Sequence, residues 1–184
     1  MRRPALPTLP AFLGRFLRDR RGVSMLEFSM IAPVMILMFF GVAEVGQGIV
    51  AQRRTMHVTS AIGDLTAQAS SVSDSDVNNI FDAGSQIMTP LTATGLGMRL
   101  TQVTTNAKLQ PIVVWSKGTG GLAANTVGAT YTLPSGIATV ASQSVVIAES
   151  TYTYAPLMGY VVKNGMSFSY KSYFSPRFGA VTKT

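Results

Sequence analysis

No cysteine occurs in the 184 residues, and histidine and tryptophan occur once each. The missing cysteines exclude a disulfide scaffold, a cysteine zinc site and a thiol nucleophile. With His57 alone, no histidine cluster can hold a metal, and the chain shows neither a G-x-S-x-G elbow nor a phosphate-cradling glycine loop. Charge is scarce as well: 12% of residues are charged against 47% hydrophobic, where a soluble domain averages about 25% charged. Asp74, Asp76 and Asp82 are the nearest approach to an acid cluster, and the start of a helix accounts for the first two. These absences predict a protein that is not an enzyme and carries no cofactor and no metal.

The charge that is present is unevenly placed. Residues 1–22 hold Arg2, Arg3, Arg15, Arg18, Arg20 and Arg21 against Asp19, and the remainder holds nine bases and seven acids. A basic arm before an apolar run is a membrane-topology signal before it is a nucleic-acid patch, so no nucleic-acid partner is expected. The uncharged stretch Phe28–Ala43, extended by Val23–Leu26, gives about 20 residues, enough to cross a bilayer core of about 30 Å. Pro33 falls within it and is tolerated in a membrane helix. The arginine bias places the N-terminus in the cytoplasm and the rest of the chain outside the cytosol.

Helical spacing continues past the span through Val45, Ile49, Val58, Ile62, Leu65 and Ala69. One long helix from about Ser24 to Ala69 is expected, with Gln52, Arg53, Thr55, Ser60, Asp64 and Gln68 on its polar face and Gly46, Gly48 and Gly63 weakening its continuity. A second helix begins at Ser73, with Asp76 completing a capping box, and ends at Pro90; Val77, Ile80, Phe81, Gly84, Ile87 and Met88 form its apolar stripe. Beyond it "MRLTQVTT" and "LQPIVVWSK" resemble a hairpin turning at Asn106–Lys108. "SQSVVIAESTYTYAPL" is the strongest strand and "MSFSYKSYFSPRF" the last, the latter carrying Phe168, Tyr170, Tyr173 and Phe174. The expected fold class is α+β: a long N-terminal transmembrane and stalk helix, a second packing helix and a small antiparallel β-sheet domain. Trp115 and the tyrosines could line a groove or fill the core, and Arg177 could meet an acidic partner or solvate a turn.

One residue does not fit a plain membrane anchor. Glu27 stands in the mouth of the apolar run, where a carboxylate costs about 3 kcal/mol. If a peptidase cut after Gly22, the new amine of Val23 would lie about one turn away, and the glutamate of one subunit could pair with the amine of a neighbour. A secretory signal cut near "GVA" is the competing reading.

A basic leader ending in glycine, with glutamate five residues later and an aromatic after it, resembles a type IV prepilin-like signal. The string "RRGVSMLEFSMIAPVMILMFFGVAEVGQGIVAQRR" is similar to the TadE/TadG-like family of the Tad (Flp) pilus-assembly system, whose members show the Glu-Phe or Glu-Tyr pair, a membrane-helix proline and a Gly-x-x-Glu at its end, here Gly41–Glu44. That resemblance implies a processing site at Gly22 and Val23, an assembly and peptidase-recognition role for Glu27 and Phe28, and membrane-helix roles for Pro33, Gly41 and Glu44. It implies a single-pass inner-membrane protein divided into a leader (1–22), a transmembrane helix (23–45), a periplasmic helical stalk (46–70) and a periplasmic α+β domain (71–184). The partners it implies are a prepilin peptidase, other pseudopilins and the Flp pilin, the inner-membrane assembly platform and membrane lipid. The function it implies is that of a minor pseudopilin or pilus-biogenesis protein; the alternative is a signal-anchored periplasmic binding or adhesion domain.

Overall fold

The computed structural model describes residues 22–156, 159 and 165–184, so the basic leader of residues 1–21 lies outside the described residues. Helix α1 runs without a break from Val23 to Gln68. It is followed by strand β1 (Ser71–Val72), helix α2 (Asp74–Ile87) and strands β2 (Leu96–Thr105), β3 (Pro111–Thr119), β4 (Ser144–Tyr154), β5 (Met166–Phe174) and β6 (Thr182–Lys183). The chain divides into two compact units, with the boundary between Ala43 and Glu44.

In the first unit the side chains of α1 from Val23 to Val42 are largely exposed apolar groups, and Pro33 lies inside the helix. The second unit is the α+β domain. Strands β2 to β5 form an antiparallel sheet in the order β3-β2-β4-β5, while β1 and β6 make a short parallel pair. The β2–β3 turn is held by the Asn106 Oδ1 atom, which accepts from the backbone N–H groups of Lys108 and Gln110 at 2.9 Å each.

Both faces of the sheet are covered, which is why β4 is buried along nearly its whole length. One face carries Leu96, Met98, Leu100, Trp115, Val146, Ala148 and Tyr152 against Val58 and Ile62 of α1 and Val77 and Phe81 of α2. The other carries Val103, Val113, Val145 and Ile147 beneath the irregular segment holding Tyr131, Leu133, Ile137 and Ala138. A register shift between Gln102 and Val103 allows Trp115 and Val113, two positions apart on β3, to serve different faces. Trp115 is core, not the wall of a groove.

Helix α1 departs from its sequence pattern in an instructive way. Val45, Ile49 and Leu65, expected on the buried stripe, are nearly half exposed, and Thr55, expected on the polar face, is fully buried. The buried face is instead built from Gly48, Ala51, Thr55, Val58, Thr59, Ile62, Gly63 and Thr66. Small residues allow the sheet to approach the helix backbone: a Cβ at Gly63 would overlap the Phe174 ring and lie 2.9 Å from the Ala148 Cβ. The threonine hydroxyls are satisfied locally, each donating to the carbonyl four residues back, Thr55 to Ala51 at 2.8 Å and Thr66 to Ile62 at 2.7 Å. The Ser150 hydroxyl lies against that of Thr59 and within 3.0 Å of the Thr55 carbonyl, so the two hydroxyls share this acceptor, one donating to it directly and the other able to donate to its neighbour. The glycines therefore do not interrupt α1; Gly48 and Gly63 are where β5 seats on it.

Helix α2 follows the sequence closely. Ser73 and Asp76 form the capping box, and Gly84 lies against Ile62, Val58 and Met98. Its C-terminus is closed by Arg54 of α1, whose guanidinium donates to the carbonyls of Ile87 (2.6 Å) and Thr89. A cation there meets both the unpaired carbonyls and the negative end of the helix dipole.

Candidate functional site

The residues assigned processing, assembly and membrane-helix roles from the sequence all lie on α1 or at its start. Gly22 immediately precedes the helix and Val23 opens it; no acid occupies the first turn, so Glu27 is the first charge the helix presents. Glu27 and Phe28 are exposed, as are the apolar residues that follow them. One window of this helix has a mean hydropathy of 2.0 with only 6% of it buried. Among the described residues, α1 is the one helix long and apolar enough to cross a membrane by length and composition. An apolar helix surface that none of the described residues covers calls for lipid or other helices around it.

Gly41 and Glu44 close the segment. Glu44 is buried in the second unit. It acts on Tyr154 at the end of β4, whose phenol is pushed up by burial, with the Glu44 charge and then Tyr152 adding to the effect.

Sequence reasoning did not foresee the charged cluster on the loop-covered face of the sheet. Arg99, Glu149 and Lys171 are direct cross-strand neighbours on β2, β4 and β5. The Arg99 Nε donates to Glu149 Oε2 at 2.6 Å, and Lys171 Nζ lies 2.7 Å from Oε1. The same cations reach the covering segment, Arg99 donating to the Ala123 carbonyl at 2.9 Å and Lys171 to the Tyr131 hydroxyl at 2.8 Å. The cations lie 50 residues before Glu149 and 22 after it, so no local pattern announces the cluster.

Burial pushes the Glu149 carboxyl up, but the hydrogen bonds and charges of Arg99 and Lys171 outweigh it and hold the carboxyl below its ordinary value of 4.5. Burial pushes Lys171 down, and its bonds to Glu149 and Tyr131 reverse this and raise it. A depressed carboxylate contributes stability above its unfolded value, and that contribution is lost as pH falls towards its folded value; the raised lysine contributes below its own unfolded value. The cluster therefore stabilises the domain from about pH 5 to about pH 10. Glu149→Gln is expected to cost about 1–2 kcal/mol at neutral pH, a modest figure because Lys171 is partly solvated. The gap between the melting curves of variant and parent should narrow as pH falls through and below the ordinary carboxylate range; a gap of constant size down to acid pH would refute the assignment.

Asp74 is paired with Lys117 at 2.8 Å and Lys183 at 3.0 Å, which hold its carboxyl below the usual range. His57 is exposed, and among the described residues no group of three or more His, Asp or Glu side chains is placed to hold a metal.

This geometry defines a class: a chain with an α+β domain and a long helix whose N-terminal half is apolar and, among the described residues, exposed. Residues 22–63 match the family model described as TadE-like protein, consistent with a TadE/TadG-like protein of the Tad pilus system. The match begins at the glycine before α1 and ends at the glycine against which Phe174 packs. No curated protein and no solved structure matches the chain.

Proposed function

We propose that the chain is a minor pseudopilin or pilus-biogenesis protein of the Tad (Flp) system. In this reading a prepilin peptidase cuts it between Gly22 and Val23, and residues 23–45 anchor it as a single span in the inner membrane with the α+β domain outside the cytosol. The carrying observation is the coincidence of the TadE-like match with an exposed apolar helix that has Glu27 as its first charge. In a helix bundle the Glu27 carboxylate of one subunit pairs with the Val23 amine of a neighbour, and each charge is costly without the other, so pairing fixes the axial register. The partners are then the peptidase, other pseudopilins and the Flp pilin, and the inner-membrane platform that assembles them.

The test is the N-terminal residue of the membrane-bound protein, in hosts with and without the prepilin peptidase. A start at Val23 that depends on the peptidase is expected. A start near Glu44 would mean ordinary secretion, and an intact N-terminus would leave a signal-anchored binding or adhesion domain; either sinks the proposal. Gly22→Leu is expected to block the cut while leaving the fold intact, because a side chain at Gly22 meets nothing within 4 Å.

A further inference from the structure

The two ends of the sheet differ in what they expose. At one end, where α1 enters the domain, Met166 of β5 lies against Gly48. At the other, Phe174 lies against Gly63, and the Arg177 backbone N–H donates to the Ala67 carbonyl in the last turn of α1 at 2.9 Å. From Glu44 to Gln68 the helix rises about 36 Å, so this second end is far from the start of the domain. The β2–β3 turn, the segment leading into β4 and the turn after β5 all meet there, as the pairings Thr105↔Pro111, Thr104↔Ser144 and Val146↔Phe174 require.

These three loops present the far end's exposed apolar side chains: Leu109 (51% exposed), Val140 (60%) and Phe178 (68%). Single exposed apolar residues are ordinary, but here three converge on one end of a small sheet. Each is on a pinned loop. Leu109 lies in the turn held by Asn106. Val140 offers its carbonyl to the Thr105 hydroxyl at 2.6 Å. Phe178 lies between the buried Pro176 and Val181. Between the β4-leading segment and the end of β5 opens a cleft of about 360 Å³, lined by Ile137, Gln143, Val145, Tyr173, Phe174 and Ser175.

The loops at this end carry two cations. Lys108 and Arg177 extend from the loops beside Leu109 and Phe178, both exposed. The turns after β2 and β5 are separated by the single strand β4, about 10 Å across the sheet. Asp64, the acid nearest the end of α1, is engaged by the Gln68 amide at 2.6 Å.

We propose that this end of the domain is a docking surface for an acidic segment of another protein. An apolar side chain of that segment enters the cleft, and its carboxylates meet Arg177 and Lys108. Pinned loops with an aromatic and an arginine beside a preformed cleft suit a peptide, because little ordering entropy is lost on binding. A membrane surface is disfavoured by the cleft, which a flat lipid surface would leave unfilled.

The test uses the full chain in detergent and a fluorescent peptide of alternating glutamate and leucine, with its lysine–leucine counterpart as control. Binding of the acidic peptide, and not the basic one, is expected. Phe178→Ser and Arg177→Ala should each weaken it about fivefold or more, Arg177→Glu should reduce it further, and Val127→Ser, an exposed position elsewhere, should not. All three positions are exposed, so loss of fold is not a competing cause. Equal binding of both peptides, indifference to Arg177 and Phe178, or binding only to phosphatidylglycerol vesicles would each overturn the proposal.

Discussion

Gly63→Val is expected to destabilise the domain by about 3 kcal/mol or more. Helix propensity alone predicts the opposite, since glycine in a helix interior costs about 1 kcal/mol relative to alanine. The contact surface decides the sign. A Cβ at Gly63 overlaps the Phe174 ring and comes within 2.9 Å of the Ala148 Cβ. The ring could turn, but the alanine belongs to β4, which is paired on both sides and cannot retreat alone. Overpacking of this kind costs about 1–3 kcal/mol for a methyl and more for a branched side chain. Gly46 supplies the control, because a Cβ there meets nothing within 4 Å; Gly46→Ala should be neutral or stabilising by up to about 1 kcal/mol. Denaturation of the full chain in detergent, followed by emission of the single tryptophan, separates the two. A Gly63→Val variant as stable as the parent would show that the seating of β5 on α1 is wrong.

The second large effect is at Trp115. Its indole N–H donates to Gln102 Oε1 at 3.0 Å and to the Val181 carbonyl at 2.9 Å, and the same Gln102 oxygen accepts the Val181 N–H at 3.0 Å. All three residues are buried, so a strand residue, a tryptophan and the C-terminal segment close one polar network inside the core. Trp115→Ala removes a large side chain and leaves a void, an expected loss of about 3–5 kcal/mol. Trp115→Phe retains most of the volume and deletes only the donor, costing about 1–3 kcal/mol for the buried acceptor left behind. Because Val181 directly precedes β6, whose Lys183 reaches Asp74, the Phe variant should also speed proteolysis after Gly179 more than proteolysis of the β2–β3 turn. Equal rates at both places would mean that the network does not hold the C-terminal segment.

Several features were readable in the residues themselves. The apolar run from Val23, the capping box at Ser73 and Asp76, the Asn106 turn and the alternation of β4 each depend on neighbours within one or two turns of chain, so spacing and residue type suffice to find them. The segment that the TadE-like family model matches, residues 22–63, is legible for the same reason, because it is read in order along the chain.

Other features were decided only by the tertiary structure, because they depend on distance in space. The face of α1 that is buried was set by how closely the sheet could approach, which selected glycine and threonine over Val45 and Ile49. The role of Arg54 as the cap of α2 depends on two carbonyls more than 30 residues away. Glu149 acquired its cations from strands on either side, and β1 and β6 exist only because the two ends of the domain meet. Hydrophobic period and turn chemistry specify an element, but a two-residue strand or a buried hydroxyl has too little local signal; long-range packing and the need to satisfy each buried polar group determine it.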